Sequence, residues 1–466
     1  MPVFDSEQLA RWTGGRWHGQ PETITGFGQD TRQLQAGDCF VALKTERRDG
    51  HDFLRAAQSA GASAALVSRV EVSVSLPQLE VPEVQPGFHA IAREHRQTFA
   101  KPVAGITGSA GKTSTKDLLA CLLGVSTTLA TRANENNLLG VPLTLTRLDA
   151  ARQRAAVIEA GISEVGEMRR LADMIRPDVA IVTLVAPVHL EGLGSLEGVA
   201  REKALLPAAM AEDGRAFFPA ACLRFSEFRA FGRRAVVTTD SNQEPRGKGS
   251  EQWVSYQTET EEGGGLRLAI AGAPSSLPSF RLPPVGPGMV GNAVLAILAA
   301  QHLGVSADQL QQRLADWQPS SWRAEWVTNG PRTFLADCYN ASPPSMAEAF
   351  AVFAQRFPRG EAPRLFLLGC MAELGPEAAR LHRETGALLK LGPDDQVWVL
   401  GEEAETLAQG IRETTTKPEQ VHVADSLEEL KRAAGNHTGP VLVKGSRRYG
   451  LEALLPDHSA TGGPSC

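Results

Sequence analysis

No apolar run in this 466-residue chain reaches the roughly 18 residues that a membrane-spanning helix needs. The amino-terminal MPVFDSEQLARWTGG has no basic segment followed by an apolar core, so it does not read as an export signal. Secretion and stable membrane insertion are therefore not expected, which leaves the cytoplasm. Cysteine is sparse. Cys39, Cys121, Cys222, Cys338, Cys370 and Cys466 are scattered and form no CxxC pair, so neither structural zinc nor a disulfide framework is expected. Excess charge of one sign is also missing. The 47 Lys and Arg are mixed with 53 Asp and Glu, for a net charge of -6, which argues against nucleic acid as a partner. No repeat of solenoid length stands out. The chain exceeds what one hydrophobic core usually serves, and two or three domains are expected.

What is present is organised around VAGITGSAGKTSTKDLLACL, beginning at Val103. The apolar Val103, Ala104 and Ile106 read as a buried strand, and Leu118, Leu119 and Leu122 as one face of a helix. Between them lies the loop Gly108, Ser109, Ala110, Gly111, Lys112, Thr113 and Ser114. Glycines let such a loop turn its N–H groups inward. Lysine supplies a point charge for a phosphate chain, threonine a magnesium ligand, and the helix N-terminus its dipole. The slot five residues before Gly111 is Ile106, so the loop is a contracted GxxGKT form. It reads as a nucleoside triphosphate site. The bland alternative is a plain strand, turn and helix.

The first hundred residues read as a small α/β domain. A short helix over residues 6–14 is expected to be capped by Ser6, followed by the strand GDCFVAL, the helix in HDFLRAAQSAGASAALVS with its Gly stop, and a further strand. Asp30, Thr31 and Arg32 fall on a turn, as either a polar ligand site or a solvated loop. A helix over Phe88 to Phe99 leads into the next domain.

In the central stretch Asn134, Glu135, Asn136 and Asn137 form an unusual polar cluster, and AAVIEAG reads as a buried strand ending in Glu159. Open α/β sheets bind ligands beyond their strand ends, so Glu159 is placed to bind magnesium unless it only caps a helix starting near Ser163. PDVAIVTLV is the next strand. It leads to His189, a metal or phosphate ligand or an ordinary loop histidine. In the helix SLEGVAREKALLPAAM, Lys203 reads either as snorkelling to the surface or as a charge held near phosphates. AFFPA, RAVVTT and RLAIAG read as short peripheral strands, with SNQEPRGKGSEQ as a loop. The last central helix is expected to begin at Gly288 or Gly291, with Asn292 in its first turn.

PSSWRAEW marks a boundary. Beyond it, TFLADCYNASPPSMAEAF places Asp337 and Asn340 past a strand end, and four more strand-like runs give a second open α/β unit. KGSRR puts Lys444, Arg447 and Arg448 on a loop, facing either a phosphate or carboxylate or only solvent. GGPSC reads as a frayed tail. A magnesium nucleotide site beside a charged second α/β domain suits hydrolysis, phosphoryl transfer or ATP-driven ligation through an acyl phosphate. Residue chemistry alone leaves these three open.

GSAGKTS, NENNLLGVPLT, VIEAG, HLEGLGS, REK, CYNASPPSM, MAELG and VKGSR occur in this order across nearly the whole chain. In that order they resemble the Mur ligase family, and most of all its branch that adds D-alanyl-D-alanine to a UDP-N-acetylmuramoyl tripeptide. DTRQLQAGDCFVALKTERRDGHDF is similar to that branch's UDP-binding domain. The resemblance implies an ATP- and magnesium-dependent amide ligase with an α/β fold of three domains. These are a UDP-substrate domain over 1–98, a P-loop domain over 99–319 and a Rossmann-like domain over 320–466. It implies a UDP-linked muramoyl peptide and an amino acid or dipeptide as small-molecule partners, and a monomer. Lys112 would contact the nucleotide phosphates. Thr113 and Glu159 would hold one magnesium, with His189 and Lys203 at a second, the lysine carbamylated. Asn292, Arg323, Asp337 and Asn340 would face the nucleotide. Asp30, Thr31 and Arg32 would face UDP. Asn134, Asn136 and Asn137 would form the substrate loop, with Lys444, Ser446 and Arg447 in the late basic loop.

The chain departs from the family pattern in places. Leu184 stands for an Asn, Cys370 for the Asp of GDMAELG, and Gly286, Pro287, Gly288 and Met289 for GRHN. Thr45 and Arg48 stand in what is usually GERFDGHDF. These departures suit either the D-alanyl-D-alanine adding activity or a diverged ligase with another amine or acceptor.

Overall fold

The computed structural model describes residues 2–241, 249–262, 264–273, 276–317, 324–330 and 332–456. Three sheets follow one another along the chain. The first has five strands in the spatial order Arg16–His18, Gln78–Glu80, Ala64–Val67, Asp38–Val41 and Gly26–Gly28, parallel except for its first pair.

The second sheet has nine strands. From one edge they are Phe280–Leu282, Leu266–Ala271, Gln252–Thr260, Ala235–Asp240, Arg215–Pro219, Val179–Val182, Val103–Thr107, Ala155–Glu159 and Thr128–Ala130. The strand that feeds the glycine loop lies between Ala155–Glu159 and Val179–Val182, parallel to both, and all three are buried along their length. Parallel strands covered on both faces read as unbroken apolar runs, which is why VAGIT, AAVIE and VAIV carry no alternation. The third sheet has six strands, Glu325–Asn329, Arg332–Asp337, Val441–Lys444, Leu365–Gly369, Gln396–Leu400 and Val421–Ala424, with one antiparallel pair at its edge.

Helix Val84–Thr98 ties the first sheet's unit to the second. Its His89 and His95 each place Nε2 against a backbone carbonyl, of Leu138 at 2.7 Å and of Leu148 at 2.9 Å. Its Arg96 donates to the carbonyls of Ile175 and Arg176, both at 2.9 Å, and lies 3.1 Å from Asp178.

Several local expectations are corrected. The first helix, Ser6–Thr13, is capped by Asp5, whose carboxylate accepts from the Gln8 N–H at 2.8 Å, and not by Ser6. Aspartate is as good a cap as serine, and it stands one residue earlier. Helix Lys112–Leu123 is buried from Thr115 to Leu122 rather than along one leucine face, because strands and helices flank it on every side. The helix expected near Ser163 begins at Glu167, after Gly166 at φ +88°. The last central helix begins at Pro287, with Gly286 as its cap, since proline suits a first turn whose N–H would be unpaired anyway. Lys444 ends a buried strand and is not on a loop. Arg215–Pro219, Ala235–Asp240 and Leu266–Ala271 are not peripheral. They extend the nine-stranded sheet, together with Gln252–Thr260, which the sequence reading did not find. Most of SNQEPRGKGSEQ, the start of PSSWRAEW and the GGPSC tail lie outside the described residues.

Candidate active site

The loop after strand Val103–Thr107 is shaped by what presses on it. Gly108 has φ +153°, and a Cβ there would lie 1.8 Å from Thr183 Oγ1. Gly111 has φ +78°, and a Cβ there would lie 2.3 Å from Asn292 Nδ2. Only glycine meets both demands of conformation and space. Side chains pin the loop to the next strand end. Ser109 Oγ donates to the Ala186 carbonyl and accepts from its N–H, both at 2.9 Å, and Thr183 Oγ1 donates to the Ala110 carbonyl at 2.5 Å. Lys112 Nζ donates to the Gly108 carbonyl at 2.8 Å, which folds its ammonium back over the loop.

Glu159 stands at the end of the neighbouring strand, 1% exposed. Its Oε1 accepts from Asn136 Nδ2 at 2.7 Å, whereas Oε2 is buried and has no hydrogen-bond partner. Burying a carboxylate oxygen without a partner costs stability. A cation held with the Thr113 hydroxyl on the same cavity wall would remove that cost, so Glu159 and Thr113 fit a magnesium ion.

A cavity of about 430 Å³ joins this loop to the third sheet's unit. Its wall includes all of Ser109 to Ser114, with Asn134, Asn136, Glu159 and Asn292 on one side and Asp337, Asn340 and Lys444 on the other. Lys444 is 1% exposed, with Nζ 3.0 Å from Asp337 Oδ2 and donating to the Asn340 carbonyl at 2.6 Å. It thus cross-braces the third unit's side of the cavity.

Other expected residues lie off this wall. Asn137 is exposed and uses its Oδ1 to accept from the N–H groups of Leu139 and Gly140, both at 3.0 Å, which starts helix Gly140–Leu145. Ser446 caps the turn Arg447–Tyr449, where Arg447 stacks over the Tyr339 ring at 5.2 Å. Asp30 is engaged by its own neighbour, accepting from Arg32 Nη2 at 2.6 Å, which lowers its pKa to about 2. With Thr31 it lies in the first sheet's unit. Arg323 lies outside the described residues.

His189 and Lys203 are a separate matter. His189 sits in left-handed backbone at φ +50°, and its Nδ1 pairs with Glu373 Oε2 of the third sheet's unit, itself at φ +60°. Lys203 is 1% exposed, and its side chain makes no hydrogen bond among the described residues. Burial first, and then the Lys112 charge, push its pKa well below the ordinary lysine value. Both effects disfavour the charged ammonium and so favour the nucleophilic free amine.

Among the cavity residues that escaped the sequence reading, two stand out. Tyr256 comes from the missed strand, whose alternating Val254, Tyr256 and Thr258 were a usable signal. Glu348 comes from helix Pro343–Arg356, and nothing in its local sequence marks it.

Three family models match in chain order: Mur ligase family, catalytic domain, over residues 23–96; Mur ligase middle domain over 106–300; and Mur ligase, glutamate ligase domain, over 322–447. The UDP-N-acetylmuramoyl-tripeptide--D-alanyl-D-alanine ligase of Escherichia coli is 32% identical over 457 residues, covering 96% of both chains. The chain belongs to the Mur ligase family. The Bacillus subtilis Mur ligase of the same name is 29% identical over 93% of both chains. Among solved Mur ligases, MurF from Acinetobacter baumannii superimposes with a TM-score of 0.85 at 27% identity, over 97% of this chain and 98% of that one. MurF from Thermotoga maritima, solved in complex with ADP, gives 0.77 at 26% identity, over 93% and 96%. The three sheets are thus the three units of a Mur ligase, and the enzyme is an ATP-dependent carboxylate-amine ligase. Among the described residues no helix is long and apolar enough to cross a membrane.

Proposed function

We propose that this Mur ligase joins D-alanyl-D-alanine to a UDP-N-acetylmuramoyl tripeptide, with ATP converting the peptide's carboxylate into an acyl phosphate that the dipeptide's amine attacks. The observation that carries the reading is the orphaned Glu159 Oε2, buried on a cavity wall shared with Lys112 and Thr113. Identity of 32% to the Escherichia coli enzyme across almost the whole chain supports the choice of substrates.

In this reading Ser109 to Thr113 present backbone N–H groups to the phosphates, and Lys112 swings its ammonium from the Gly108 carbonyl to the transferring oxygens. Glu159 and Thr113 hold magnesium, which when bound supplies positive charge to the phosphate oxygens. His189 and Lys203 serve a second ion, with Lys203 carbamylated. Burial favours its free amine, whose attack on carbon dioxide with loss of one proton would give an anionic carbamate. Asp30, Thr31 and Arg32 meet the UDP moiety, Asn134 and Asn136 the acceptor peptide, and Asp337, Asn340 and Lys444 close over the nucleotide from the third unit. Lys444, once braced by Asp337 and Asn340, keeps its charge in a fixed place.

A second reading keeps the chemistry and changes the amine or the acceptor. It is favoured by Leu184 on the cavity wall and by the fully buried Cys370, whose thiol is pushed up to about 12 and so cannot replace the charge of an aspartate.

ADP release from the purified enzyme tests the ligase chemistry. Release should require both a carboxylate acceptor and an amine, and Lys112→Ala should abolish it while leaving the circular dichroism spectrum unchanged. Release without the amine would make the protein a kinase or hydrolase.

A further inference from the structure

Glu348 belongs to helix Pro343–Arg356 in the third unit, yet its carboxylate reaches the start of helix Pro287–His302 in the central one. There Oε1 accepts from the N–H groups of Gly288 at 2.9 Å and Met289 at 3.2 Å, and Oε2 also accepts from Gly288 at 3.0 Å. The glycines make room for it. A Cβ at Gly286 would lie 2.2 Å from Oε1, and one at Gly288 3.1 Å from Oε2. A carboxylate offers about four acceptor positions. Oε2, with one shared N–H, keeps capacity for a donor from the cavity that Glu348 lines. Burial raises the pKa of this carboxyl, the sign of a group that gains from a further donor.

Its place along the cavity says which donor. Helix Pro287–His302 passes the phosphate loop at Asn292, whose amide fills the space in front of Gly111. Gly288 and Met289 precede Asn292 by about one helical turn, roughly 5 Å along the axis. Val352 and the carboxylate both press on the space at Gly286, and Tyr256, whose phenol is raised by burial first and then by the Asp240 and Glu348 charges, lies near it on the cavity wall. Of the cavity's other carboxylates, Glu159 lies at the phosphate loop and Asp337 is paired with Lys444. A base attached to phosphates held at Lys112 therefore meets Glu348.

We propose that Glu348 is a specificity-determining residue that accepts a hydrogen bond from the 6-amino group of adenine. This rests on the reading of the loop as the nucleotide site. Inosine triphosphate carries an oxo group in place of that amine, so an acceptor would face an acceptor.

The test is calorimetric titration of the full-length protein and its Glu348→Gln and Glu348→Ala variants with magnesium ATP, ITP and GTP, alongside KM and kcat for nucleoside diphosphate release. The wild type should favour ATP over ITP by about 10- to 100-fold, the range of a hydrogen bond to a charged group. Glu348→Gln can keep one oxygen on the Gly288 and Met289 N–H groups and turn its NH2 toward the base. It should bring the ratio close to one, and partly by improving ITP. Glu348→Ala should shrink the ratio through weaker ATP binding alone, with KM moving more than kcat. Equal losses for ATP and ITP, with the ratio intact, would overturn the proposal and leave Glu348 as a tie between helices. Tighter wild-type binding of GTP than of ATP would overturn it too. Lys112→Ala separates this from failure of the nucleotide reading. If that variant binds ATP as well as the wild type does, both fall. If it loses ATP while the ATP-to-ITP ratio ignores Glu348, only the Glu348 proposal falls.

Discussion

Asn136 holds one oxygen of Glu159 through a 2.7 Å hydrogen bond and leaves the other buried without a partner. The amide aims the carboxylate, and the orphaned oxygen is where a cation is worth most. Glu159→Gln keeps the shape and an acceptor for Asn136 but removes the charge. It should leave the melting temperature unchanged or raised and lower turnover by at least about 100-fold, the scale of losing several kcal/mol of metal-centred charge stabilisation. Activity assays across a magnesium titration check this. Turnover that saturates at the wild-type magnesium level would remove Glu159 from the metal site.

The Lys203 side chain is buried, makes no hydrogen bond among the described residues and lies near Lys112. If it works as a carbamate, Lys203→Ala should lose activity, and added short carboxylic acids should restore part of it by supplying the missing anion. Activity without loss, read by the same ADP release, would strike Lys203 from the site.

Gly108 should tolerate no side chain. Gly108→Ala puts a methyl 1.8 Å from Thr183 Oγ1 at φ +153°, and should cost roughly 1–3 kcal/mol in urea unfolding as an overpacked site. Pairing it with Thr183→Ala removes the nearest atom and should recover part of that loss. Additive losses would contradict the assigned clash.

Docking of the amino-terminal unit should weaken in acid. Burial lowers the pKa of both His89 and His95 below the ordinary 6.5, so the unfolded chain binds more protons than the folded one in the window beneath that value. Stability therefore rises with pH there and is lost as pH falls below about 6.5. Melting temperatures from pH 7.5 to 5 should show this, with a shallower slope in His89→Gln/His95→Gln. Other histidines whose pKa desolvation lowers, including His382 and His437, leave a residual slope.

The phosphate loop was legible because its determinants are local: a fully buried parallel strand, two glycines that no other residue could replace, and a lysine opening a helix. Glu159 was legible for a similar reason, at the end of an unbroken apolar run. Strand Gln252–Thr260 was missed although its alternation was present, because the flanking polar segment drew it into a loop reading. Lys444 and Glu348 were illegible for a different reason. Lys444 is set by a partner 107 positions away in sequence, Asp337, and Glu348 by backbone N–H groups about 60 positions away. Such contacts exist only once the units are packed together. The same packing explains the Gly-Pro-Gly-Met segment. As sequence it looked like a loss of side chains, and in the fold it is the space that Glu348 occupies.

The most direct test of the whole account is to supply the enzyme with ATP, magnesium, UDP-N-acetylmuramoyl tripeptide and a panel of amino acids and dipeptides, and to weigh the products. The expected product is heavier by one D-alanyl-D-alanine residue and forms faster than with any other amine. Turnover only with a different amine or acceptor would contradict it and make the departures at Leu184, Cys370 and Gly286 to Met289 the marks of another ligase.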